Sequence, residues 1–109
     1  MSEVKQETWE DMSATAKQTI DALIGRLPEE LRPEASRIGY QLQKRKRDRD
    51  DTLGDYARSV HRITIYLETI RQDCLEESRD FCTEIERTYL HEFGHHLGLD
   101  ENGVEKFGL

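Results

Sequence analysis

The sequence predicts a small domain in which helices are mixed with a few short strands, and three observations predict it. Apolar residues recur at helical spacing from Thr8 to Leu27 and again from Ser78 to Leu97. Two short stretches between them carry strand-forming residues, and 109 residues leave room for one modest core. A single domain over residues 1–109 is expected.

In the first stretch Trp9, Met12, Ala16, Ile20, Leu23, Ile24 and Leu27 fall three and four apart, the pattern of a helix with one buried face. Pro28 ends it, because proline has no amide hydrogen to donate and crowds the preceding turn. Pro28 to Pro33 reads as a connection with a short helical turn at Glu29 to Leu31. Ile38, Tyr40 and Leu42 then alternate with Gly39 and Gln41, as in a strand with one covered face. The chain passes into the charged run Lys44 to Asp51, in which five bases face three acids with no aromatic residue to stack on a base. This reads as a solvated loop, not a nucleic-acid patch. Gly54 to Ser59 reads as a second loop, and Ile63 to Leu67 as a buried strand of β-branched and aromatic residues. Glu68 to Glu77 and Ser78 to Leu97 read as helical, with Ser78 as N-cap and Phe81, Ile85, Tyr89 and Phe93 every fourth residue.

The balance of 23 acidic against 16 basic residues, a net charge of −7, repels phosphate backbones and anionic lipid surfaces. Nucleic-acid partners are therefore not expected. No apolar run approaches the roughly 18 residues that span a bilayer, and Met1 to Glu10 has no apolar signal core, so no membrane association and a cytoplasmic address are expected. Cys74 and Cys82 would sit roughly 12 Å apart on a continuous helix, too far for a disulfide.

Chemistry concentrates in His91-Glu92-Phe93-Gly94-His95. Residues four apart share a helix face, so both imidazoles can reach one zinc ion. With His91 at zero on a wheel of about 100° per residue, His95 falls near 40° and Glu92 near 100°, between the ligand face and the apolar stripe. From there the Glu92 carboxylate can reach a metal-bound water as a general base without ligating the metal. Gly94 costs helix stability and so signals a need for space, while Gly98 suits the left-handed residue that closes a helix. A catalytic zinc takes three protein ligands plus water. Glu101, ten positions after His91, has the spacing for the third, with Asp100 and Glu84 as rivals. Glu84 and Thr88 otherwise read as solvated, His96 as a core histidine held by hydrogen bonds, and His61 as a surface residue.

The segment Arg62-Ile63-Thr64-Ile65-Tyr66, the acidic helical stretch after it, Leu90-His91-Glu92-Phe93-Gly94-His95-His96-Leu97-Gly98-Leu99-Asp100-Glu101 and the closing Phe107-Gly108-Leu109 resemble the minimal zincin-like metallopeptidase family of bacteria. The first helix with Leu27-Pro28-Glu29-Glu30-Leu31 is similar to that family's opening. The resemblance implies a compact α+β zincin-like fold, with a small sheet packed against the active-site helix plus an N-terminal helix. It implies a zinc site of His91, His95 and a carboxylate, a Glu92 base, and a peptide or protein substrate held extended against an edge strand. Ile38 to Leu42 or Ile63 to Leu67 would supply that edge. The charged stretch from Gln43 to Asp55 departs from the family's usual look. So short a chain should leave the cleft open, or have it completed by a protein partner.

Two other readings compete. In a non-catalytic zinc-binding module the metal would hold the C-terminal tail against the helix and be closed by four protein ligands. Hydrolysis of RNA, as by rRNA-processing zinc proteins of similar histidine spacing, is disfavoured by Glu92 where those carry glycine, and by the negative charge.

Overall fold

A computed structural model describes residues 8–98 and places α1 (Trp9–Arg26), α2 (Arg32–Arg37), β1 (Gly39–Gln43), β2 (Gly54–Ala57), β3 (Arg62–Tyr66), α3 (Leu67–Glu77) and α4 (Phe81–His96) in chain order. This is an α+β fold: helices packed around a three-stranded mixed sheet.

Helix α1 starts on a capping box, in which Thr8 Oγ1 accepts from the Asp11 amide at 3.1 Å and Asp11 accepts from the Thr8 amide at 3.4 Å. Its periodic residues Met12, Ala16, Ile20 and Leu23 are buried, and α1 packs on α4. The turn expected after Pro28 is present, closed by the Leu31 amide on the Pro28 carbonyl at 2.8 Å. Helix α2 was not foreseen. Pro33 sits in its first turn, where an amide hydrogen would have no helical partner, so the proline that reads as a breaker serves as a helix start.

Strand β3 lies in the middle of the sheet, parallel to β1 and antiparallel to β2. Ile63, Thr64, Ile65 and Tyr66 are all buried, which accounts for the unbroken run of strand-forming residues. Strand β2 corrects the expectation of a loop at Gly54 to Ser59. It spans four residues, too few to show alternation, and its extended form comes from pairing with β3. The Tyr66 hydroxyl fixes the pair by donating to Asp55 at 2.9 Å, and burial followed by Asp55 pushes this phenol up to about 12. The charged loop before β2 is tied to the protein's own carboxylates, Lys46 to Asp55 at 3.1 Å and Arg45 to Glu68 at 3.7 Å, as a solvated loop would be.

Ser78 also takes a different role from the one expected. It adopts a left-handed conformation, φ 54°, and closes α3, so the two cysteines stand on separate helices and both are free. The N-cap of α4 is Asp80, whose carboxylate accepts from the Thr83 amide at 3.0 Å and the Thr83 hydroxyl at 2.9 Å. These bonds hold the Asp80 carboxyl below its usual range. Among the described residues no helix is long and apolar enough to cross a membrane.

Candidate active site

Helix α4 packs against α1, α3, β2 and β3, and its three neighbouring stripes do different work. Phe81, Ile85, Tyr89 and Phe93 enter the core, as their spacing requires. Glu84, Thr88 and Glu92 form the next stripe and are also buried, at 4%, 7% and 9% exposure. The expectation that Glu84 and Thr88 are solvated is therefore corrected. Neighbouring elements cover them: a Cβ on Gly54 of β2 would stand 2.6 Å from Thr88 Cγ2 and 3.5 Å from Glu92 Cγ. Gly54 is a glycine because β2 runs this close to the helix.

His91 and His95 form the third stripe, half-buried, with ring centroids 5.0 Å apart and planes at 84°. One helical turn thus delivers two imidazoles to the same place, as a shared metal ion needs. Among the described residues no group of three His, Cys, Asp or Glu side chains converges as a metal site. Glu101 and Asp100, the favoured third ligands, lie outside the described residues. Glu84 is two helical turns from His91 and three from His95 and is engaged elsewhere: it accepts a hydrogen bond from Arg87 at 3.1 Å and pairs with Arg79 at 3.7 Å. The two imidazoles with a carboxylate beside them are a donor set suited to zinc.

A cleft of about 330 Å³ runs along this surface. Glu84, Arg87, Thr88, His91 and Glu92 form its α4 wall, Leu53 and Gly54 the wall at the start of β2, and Arg79 one end. Strand β2 is an edge strand, and so is β1, which covers most of Ile38 to Leu42, but it is β2 that borders this cleft. Ile63 to Leu67 contains the central strand β3, already paired on both sides, and β1 lies across β3 from β2.

Below the histidine pair the chain is pinned by a polar network. Glu34 Oε2 accepts from His96 Nε2 at 3.0 Å, and the Tyr56 hydroxyl lies 2.8 Å from His96 Nδ1 and 3.2 Å from His61 Nδ1. The bond from His96 holds the Glu34 carboxyl below its usual range. His96 is 11% exposed and stacks on Phe93, so it is the hydrogen-bonded histidine its wheel position implies. Exposed His61 joins the same network through Tyr56, a partnership that sequence spacing did not signal. Gly98 has φ 89° and closes the helix end as expected, with its amide on the His95 carbonyl at 3.0 Å.

Residues 38–109 match the zincin-like metallopeptidase family, a span that runs from just before β1 through α4 to the last residue and leaves out α1 and α2. Among curated proteins none matches the chain.

Proposed function

The chain belongs to the zincin-like metallopeptidase family, and from that premise we propose that it hydrolyses peptide bonds with a zinc ion held by His91, His95 and Glu101 and with Glu92 as general base. The observation that carries this reading is the position of Glu92. It shares one cleft with His91, one residue away along α4, while an edge strand borders the opposite side.

When bound, zinc polarises the scissile carbonyl and lowers the pKa of its water towards neutrality. His91 and His95 would hold it through two ring nitrogens, with Glu101 as the proposed third ligand and Asp100 as its rival. Glu92, walled in by Thr88 and Gly54, keeps its carboxylate beside the histidine stripe, takes the proton from the attacking water and passes it to the departing amine. The outer edge of β2 offers backbone groups on which an extended peptide can pair, placing its scissile bond over α4. The cleft is open, so peptides and flexible segments of proteins are the substrates it suits.

Incubation of the zinc-loaded chain with a mixture of unmodified peptides, followed by mass spectrometry of the products, tests the reading. Cleavage should stop with a zinc chelator and return with added zinc. An intact mixture after long incubation with zinc-loaded protein would overturn it.

A further inference from the structure

The far end of the cleft from Glu92 holds a charge arrangement that hydrolysis itself does not use. Glu84 has 6% of its side chain exposed, yet both Arg79 and Arg87 reach its Oε1, at 3.7 and 3.1 Å. Among the described residues these arginines pair with no other carboxylate. One buried carboxylate needs one cation, and here it has two. Each guanidinium carries five N–H donors, and Glu84 takes a single hydrogen bond, from Arg87. Their side chains are 45% and 65% exposed and line the cleft, so Glu84 acts as a post that aims two forks into it.

We propose that Arg87, with Arg79, forms a subsite that binds a carboxylate of the peptide substrate, a specificity that rests on the peptidase reading above. The helix sets the distance. The Arg87 fork lies at Glu84, which precedes His91 by two turns, about 10 Å, and an extended peptide rises about 3.3 Å per residue. The carboxylate is therefore placed about three residues from the scissile bond. It comes from an acidic side chain or from a free C-terminus, and both present the same planar group to the fork of an arginine.

The test is binding, so that it does not depend on turnover. Fluorescent alanine hexapeptide amides carrying Glu or Gln at each position in turn, and the all-alanine peptide with a free or amidated C-terminus, are titrated by anisotropy into zinc-supplied Glu92→Gln protein. One Glu position, or the free C-terminus, should bind at least about tenfold tighter than its neutral counterpart, the scale of one charge-assisted hydrogen bond. Adding Arg87→Gln should bring that ratio close to one without changing the affinity for neutral peptides, while the melting temperature falls because Glu84 loses its hydrogen bond and keeps only the longer pairing with Arg79. Should Arg87→Gln fail to fold, Arg79→Gln, which leaves Arg87 on Glu84, must lower the ratio in its place. Equal binding of charged and neutral peptides, no binding of any peptide, or a ratio unmoved by the arginine changes would overturn the subsite. Failure of the peptidase reading would show separately, as an acidic preference in a wild-type protein that cleaves nothing.

Discussion

Glu92→Gln is expected to keep its zinc and to lose its turnover. Glutamine has nearly the volume of glutamate, so the packing against Gly54 and Thr88 is preserved, and the residue is not among the proposed ligands. What disappears is a group able to accept a proton at neutral pH, and a positioned general base contributes roughly 10²- to 10⁴-fold to rate. The rate per bound zinc should fall by that amount, with unchanged metal content. Glu92→Asp, which withdraws the carboxylate by one methylene, should fall in between. A Glu92→Gln protein as fast as wild type would place the base elsewhere.

Gly54→Ala should harm both stability and catalysis, because β2 and α4 leave no room for a methyl group. The new Cβ would meet Thr88 Cγ2 at 2.6 Å and the Thr64 backbone carbonyl at 3.0 Å. Neither yields easily. Thr88 is a buried β-branched residue with few rotamers open to it, and moving the Thr64 carbonyl disturbs the central strand. Overpacking of this kind costs about 1 to 3 kcal/mol. Each kcal/mol lowers the melting temperature by roughly 4 to 8 °C in a domain of this size class. Any relief that pushes α4 from β2 also moves Glu92, so activity should drop even below the melting transition. Thr88→Ser removes the nearest methyl and should restore most, not all, of the lost stability, since the Thr64 contact persists. Equal melting temperatures for Gly54→Ala and wild type would show that β2 does not approach the helix this closely.

The difference between what was legible in the sequence and what was not follows from where each signal lives. Helix α1, strand β3 and helix α4 write their burial into long or dense apolar patterns, so Met12 to Leu23, Ile63 to Tyr66 and Phe81 to Phe93 could be assigned by period alone. Pairing of His91 with His95, and Glu92 beside them, also follows from helical geometry. Strand β2 and helix α2 were hidden because each is short and draws its form from neighbours: β2 from the β3 ladder, α2 from a proline that suits a first turn as well as a loop. The exchange of Ser78 for Asp80 as N-cap arose because a left-handed residue had to close α3 first. Glu84 and Thr88 were misread as solvated because a helical wheel does not reveal that β2 and two arginines cover a second stripe.

Zinc content, measured by elemental analysis on tag-free protein supplied with zinc and freed of excess metal, tests the central claim most directly. The account predicts one zinc per wild-type chain, and its loss from both His91→Ala and His95→Ala protein that is still folded. A wild-type chain that takes up no zinc, or histidine variants that hold it as well as wild type, would contradict the metal centre on which the proposed hydrolysis depends.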